Sequence, residues 1–121
     1  MKKIVVTGSL AYDYIMDYPG VFTEHINPAA IHNINVSFLI NKLQKSLGGT
    51  AGNIVYNLSL LDTPSSVLGA VGKDFEEYKI ALKKYRVGTQ NIKVIKDEFT
   101  SQAYVMTDQK TIKFLRFTQE R

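Results

Sequence analysis

At 121 residues and 45% hydrophobic side chains, the chain has the length and composition of one globular domain and is too short for two. The absence of cysteine excludes a disulfide scaffold, a thiolate metal site and a cysteine nucleophile and fits a reducing cytoplasm. No apolar run approaches the roughly 20 residues that a membrane-spanning helix needs, and Met1-Lys2-Lys3 leads into Ile4-Val5-Val6 and then Thr7-Gly8-Ser9 rather than into a secretory leader, so no membrane contact is expected.

The formal charge is +4, but it is uneven. From Lys110 onward, Lys110, Lys113, Arg116 and Arg121 stand against Glu120 alone, which leaves +3 in the tail 110–121 and +1 in everything before it. Lys79, Lys83 and Lys84 lie at helical spacing from Glu76 and Glu77, the pattern of a solvated helix face. A nucleic-acid interface is therefore not expected.

In chain order, Ile4-Val5-Val6-Thr7 reads as a buried core strand within residues 3–8. Residues 11–18 mix tyrosine, isoleucine and methionine with Asp13 and Asp17 before the turn Pro19-Gly20, and predict a second strand. Residues 22–31 hold Asn27-Pro28 and no sustained period, so they predict loop with at most a short helix. The alternation of Ile34, Val36 and Phe38 with Asn35 and Ser37 predicts a half-exposed strand over 33–40. After Gly48-Gly49, Ala51, Ile54, Val55, Leu58 and Leu61 form the apolar stripe of a helix over 50–61, stopped by Asp62-Thr63-Pro64.

Residues 66–71 predict another buried strand. Asp74 is the expected N-cap of a helix over 74–85, with Gly88 closing it, and residues 92–95 and 103–107 predict two more strands. Strands alternating with helices imply an α/β core with a largely parallel sheet. The strands at 11–18 and 33–40 interrupt a βα connection that would ordinarily take a few residues, so they predict an inserted flap.

In open parallel sheets ligands bind beyond the carboxyl ends of the strands, which makes Gly8-Ser9, Gly48-Gly49 and Gly69 to Gly72 candidate segments of one rim. Gly48-Gly49-Thr50-Ala51-Gly52-Asn53 lacks the Lys-Ser/Thr pair of a Walker loop and the spacing of a dinucleotide fingerprint. Two readings stay open on these residues alone: close helix-to-sheet packing, or a bare backbone that a polar ligand approaches while Asn53 hydrogen-bonds it.

Thr7-Gly8-Ser9-Leu10-Ala11-Tyr12-Asp13, Ser37-Phe38-Leu39, Gly48-Gly49-Thr50-Ala51-Gly52-Asn53 and Gly69-Ala70-Val71-Gly72-Lys73-Asp74-Phe75, in that order, closely resemble the amino-terminal part of the PfkB/ribokinase sugar and nucleoside kinases, most nearly the bacterial adenosine kinase type. The resemblance implies the amino-terminal part of a ribokinase-like three-layer α/β fold whose strands at 11–18 and 33–40 form a lid. Val55, where the family prefers a small residue, and Asp62, where it prefers Gly or Ser, depart from the pattern.

By the same resemblance Asp13 grips sugar hydroxyls, a task suited to a carboxylate that can accept two hydrogen bonds, and Gly48, Gly49 and Asn53 hold the sugar from the other side. Ser9 and Ser37 fall at the nucleoside pocket, Ser37 offered by the lid. The bland alternatives are an exposed acid on a lid strand for Asp13 and a helix cap for Asn53. His25 and His32 are read as lid-loop residues without a partner, and Tyr12, Tyr14 and Tyr18 as packing residues. The family uses ATP and Mg²⁺, but its general base and most of its ATP site match nothing in this chain, and neither Asp74 nor Asp108 fits the catalytic motif. The implied partner is a small sugar or nucleoside, with a homodimer through the lid strands as a further implication. The resemblance fades at about Asp108, where the basic shift begins, so a truncated or frameshifted kinase is expected. A small stand-alone α/β binding module is the alternative.

Overall fold

The computed structural model describes residues 3–33, 36–110 and 113–117. In chain order it runs β1 (Ile4–Thr7), β2 (Ala11–Asp17), two short 3₁₀ segments (Phe22–Glu24 and Pro28–Asn33), β3 (Lys42–Gly48), α1 (Thr50–Leu60), β4 (Ser65–Gly72), α2 (Glu76–Lys84), β5 (Gly88–Ile95), β6 (Ser101–Thr107) and β7 (Lys113–Phe117). Two sheets result. One is parallel throughout, in the order β1-β4-β5, and the other is mixed, in the order β3-β2-β6-β7.

The parallel sheet is the α/β core that the strand–helix alternation predicts. Val6, Val67 and Val71 from its strands, Ala51 and Val55 from α1, and Tyr78 and Leu82 from α2 share one buried cluster with Leu10 and Tyr12. Val55 is fully buried in that cluster. Glu76 and Glu77 open α2 while Lys83 and Lys84 close it, each charge complementing the helix dipole at its end.

Both helices end in the same reverse turn. In α1 the Thr63 N–H reaches the Leu58 carbonyl and the Asp62 N–H that of Ser59; in α2 the Val87 N–H reaches Leu82 and the Arg86 N–H reaches Lys83. This paired closure places the residue after the cap in the left-handed region, and Asp62 (φ 50°) and Arg86 (φ 59°) occupy it. The α2 stop is thus Arg86, two residues before the expected Gly88. A side chain in that conformation costs energy that glycine avoids. Arg86→Gly is expected to stabilise the chain by about 0.5–1 kcal/mol, read as a higher urea midpoint at unchanged slope.

The second sheet corrects the expected lid. Residues 36–40 carry no strand, and residues 34 and 35 lie outside the described residues. The strand that pairs antiparallel with β2 is β3, running from Asp17↔Lys42 to Ala11↔Gly48. Phe38 instead packs edge-on against Tyr18, Phe22 and His25, in an aromatic cluster rather than on a strand face. The other side of β2 is taken by β6 in parallel register, Ala11↔Ser101 to Asp17↔Thr107. Both edges of β2 are thus hydrogen-bonded within the chain, one to β3 and the other to β6. Of the tail 110–121, the described part, β7, lies antiparallel on β6, and the remainder beyond Lys110 lies outside the described residues.

Candidate functional site

The end of β1, the start of β2 and the entrance to α1 meet at one point. The N-cap of α1 is Gly49, which has no side chain to satisfy the donors that open a helix. Ser9, forty residues earlier in the chain, does so instead: its Oγ accepts from the Thr50 N–H at 2.9 Å and pairs with Thr50 Oγ1 at 2.9 Å. Its carbonyl accepts from the N–H groups of Ala51 (3.0 Å) and Gly52 (3.4 Å). Ser9 therefore holds the helix entrance in place with the hydroxyl that the resemblance assigned to a nucleoside pocket.

Gly49 adopts φ +89°, a conformation that side chains avoid, and a Cβ there would lie 2.4 Å from the Ser9 carbonyl oxygen. Gly48, one residue earlier, lies against Asp13: a Cβ on Gly48 would sit 2.2 Å from Asp13 Oδ2. The two-residue offset from the Ala11↔Gly48 pair puts Asp13 on the same face of the sheet as that position. The Asp13 carboxylate and the Gly48 backbone are thus brought together. Burial raises the pKa of Asp13 above the ordinary carboxylate value.

Behind this pair stands Tyr78 of α2, whose hydroxyl donates to the Gly48 carbonyl at 2.6 Å. Its ring lies 5.8 Å from that of Tyr12, and burial, followed by the charge of Asp13 and the neighbouring Tyr12, pushes its pKa up to about 12. The sequence reading missed Tyr78. Its signal was Gly52, a glycine inside an otherwise regular helix stripe, which carries a cost that close approach of another group explains.

The other expected residues are more loosely placed. Asn53 donates its backbone N–H to Gly49, and its side chain is exposed, so it is not the cap of α1. It borders a cavity of about 340 Å³ between α1 and α2, together with Leu47, Tyr56, Tyr78 and Tyr85, on which neither Asp13 nor Gly48 opens. Ser37 is exposed beside Phe38, and among the described residues no hydrogen bond joins it to Asp13 or Gly48. The three glycine segments expected to share one rim are placed differently. Gly69 packs against the Gly8 carbonyl, whereas Gly72 is pressed against the backbone of residues 98–100.

Asp74 is not the N-cap of α2, which is Phe75. Its carboxylate accepts from the Thr100 N–H at 2.7 Å, and its carbonyl accepts from the Tyr12 hydroxyl at 2.8 Å, bracing the two sheets together. Burial alone would raise its pKa, but hydrogen bonds from Thr100 and Gln102 outweigh it and hold the carboxyl below the ordinary value. Asp108 accepts from the N–H groups of Phe22 and Lys110, both at 3.0 Å. Each acid thus ties together segments remote in sequence, Asp74 to Thr100 and Asp108 to Phe22. His25, expected to lack a partner, is hydrogen-bonded through Nε2 to the Tyr18 hydroxyl. Tyr12, Tyr14 and Tyr18 do pack within the molecule, Tyr14 stacked on Tyr104 and Tyr18 on Phe22.

Among the described residues no group of three or more histidine or acidic side chains could hold a metal ion, and no helix is long and apolar enough to cross a membrane.

Comparison with known proteins accounts for the motif order. The model of the pfkB family carbohydrate kinases matches residues 1–119, eleven residues past the point at which the resemblance was expected to fade. The chain is 31% identical over 109 residues to the nucleoside kinase of Methanothermobacter thermautotrophicus, covering 88% of this chain and 32% of that protein. The nucleoside kinase of Burkholderia thailandensis, solved in complex with inosine, is 33% identical with a TM-score of 0.75, over 95% of this chain and 36% of that one. The Methanocaldococcus jannaschii nucleoside kinase, a ribokinase-family member, is 28% identical with a TM-score of 0.82, over 98% and 37%. The chain spans about a third of the length of these relatives, and its parallel sheet and helices have the ribokinase-like α/β fold.

Proposed function

This chain belongs to the pfkB family of carbohydrate kinases, and from that premise we propose that it forms the acceptor side of an ATP-dependent nucleoside kinase, holding the sugar of a purine nucleoside such as adenosine. The observation that carries this reading is the Asp13 carboxylate lying against Gly48 at the entrance to α1. A carboxylate takes two sugar hydroxyls at once, and side-chain-free backbone beside it lets a ring approach closely. Ser9 takes the Thr50, Ala51 and Gly52 donors at the opening of α1, which suits the site to neutral hydroxyls more than to a phosphate. The inosine bound by the Burkholderia relative supports a purine nucleoside over a free sugar.

Phosphoryl transfer depends on positioning and on neutralising charge over the transferring group. The chain by itself is proposed to bind acceptor without turnover. Its place would be that of a catalytically incomplete part of a longer enzyme. Isothermal titration of the 121-residue chain with adenosine, inosine and ribose tests the first claim: saturable heat is expected with the nucleosides and weaker binding with ribose. Absence of binding to all three would overturn it. An assay of ATP consumption in the presence of adenosine tests the second, and turnover by this chain alone would sink it.

A further inference from the structure

Gly48 and Gly49 share the peptide in this site that is easiest to turn over. A peptide flip changes ψ of the first residue and φ of the second, and at both positions the residue is glycine, for which the alternatives cost least. Its orientation nevertheless decides what the site offers. All peptides here are trans, so the Gly49 N–H points opposite to the Gly48 carbonyl. That carbonyl is held at 2.6 Å by the hydroxyl of Tyr78, a residue only 3% exposed on α2. The Gly49 N–H is consequently turned away from α2. It is also the one donor at the opening of α1 that Ser9 does not take.

The path of the Tyr78 hydroxyl to that carbonyl passes through the space where residue 52 would carry a side chain. A Cβ on Gly52 would lie 1.8 Å from the Tyr78 oxygen and 3.1 Å from the ring carbon that bears it. Gly52, inside α1, thus forfeits helix propensity to admit the phenol. The hydroxyl stays protonated, and so a donor, throughout the neutral range.

We propose that Tyr78 is a positioning residue of the acceptor site: its hydroxyl locks the Gly48–Gly49 peptide so that the Gly49 N–H faces the sugar, and Gly52 is the opening through which it reaches. The inference rests on the nucleoside-binding reading above for what the N–H meets, but not for the lock itself.

Tyr78→Phe removes the hydroxyl and keeps the ring. The expected result is about a tenfold loss of adenosine affinity by calorimetry, with the Gly49 amide resonance shifted in the ¹⁵N–¹H spectrum of the free chain and the neighbouring Leu47 resonance unmoved. Tyr56→Phe, on the same cavity, should change neither. Gly52→Ala displaces the hydroxyl without touching Tyr78, and should reproduce both effects without adding to them in the double variant. If Tyr78→Phe fails to fold, Gly52→Ala decides alone. Unchanged affinity together with an unmoved Gly49 amide would overturn the proposal. A shifted amide in a chain that binds no nucleoside even as wild type would uphold the lock and remove the nucleoside reading instead.

Discussion

Asp13→Asn is expected to lower adenosine affinity by about ten- to a hundredfold, the worth of a charged hydrogen-bond acceptor, while raising the melting temperature at neutral pH. The two effects share one origin. Burial lifts the pKa of Asp13 above its ordinary value of 3.8, so the folded chain binds this proton more tightly than the unfolded chain does. Stability is then lost as pH rises from about 3.8 through the raised folded value, and at pH 7 the fold carries the cost of a charge held in a place that disfavours it. Asparagine keeps the shape and removes that cost. Asp74 runs the other way: its lowered pKa contributes stability above the ordinary carboxylate range and loses it as pH falls through the folded value. Melting curves from pH 3 to 7 for the wild type and Asp13→Asn separate the two. A variant that binds as well as the wild type, or melts lower at pH 7, would refute the assignment of Asp13.

Gly72→Ala is expected to cost at least about 3 kcal/mol and to leave the residual folded fraction binding normally. A Cβ there would lie 2.2 Å from Phe99 C, 2.3 Å from Thr100 N and 2.5 Å from Glu98 O, all of them backbone atoms with no rotamer to yield. The same turn is strapped to the end of β4 by Gly72 N–H to Thr100 Oγ1 at 3.1 Å and Lys73 N–H to Glu98 O at 2.9 Å. It cannot retreat without breaking those bonds and the Thr100–Asp74 contact that braces the two sheets. Urea denaturation measures the loss. A midpoint within 0.5 kcal/mol equivalent of wild type would show that the turn moves freely.

The core was legible because its elements follow strong periods. The β-branched run of β1 and the apolar stripe of α1 placed these elements within about two residues, although β1 lies at the edge of its sheet with Ile4 and Val5 exposed rather than buried, and the expected caps of α2, Asp74 and Gly88, give way to Phe75 and Tyr85. The mixed sheet was less so. In β3 the exposed alternation Lys42, Leu43, Gln44, Lys45 offers little hydrophobic contrast, while Val36 and Phe38 offer more and belong to a loop. Lysines on an edge strand guard against pairing with other chains, and the same residues erase the signal that would identify the strand. Nor does any local pattern show that β6 crosses into the second sheet, because its partner β2 is remote in sequence. At the site, Asp13 and Gly48-Gly49 were reached through motif order, whereas Tyr78 needed the fold, since what connects it to Gly48 is a contact across thirty residues.

The parallel pairing of β2 with β6 also has a consequence in time. Asp17 and Thr107 stand 90 residues apart, and nearly all of the α/β core lies in between. Closing so long a loop is entropically costly and slow, so the centre of the mixed sheet is expected to form after β1, α1, β4 and α2 have packed. On the ribosome, β2 emerges early and meets β3 soon after, but its second edge, flanked by Tyr12, Tyr14, Ile15 and Met16, stays unpaired until β6 has been made. That interval is when a nascent chain of this topology is most exposed to pairing with another copy of itself, and a holdase chaperone acting there would raise its yield most.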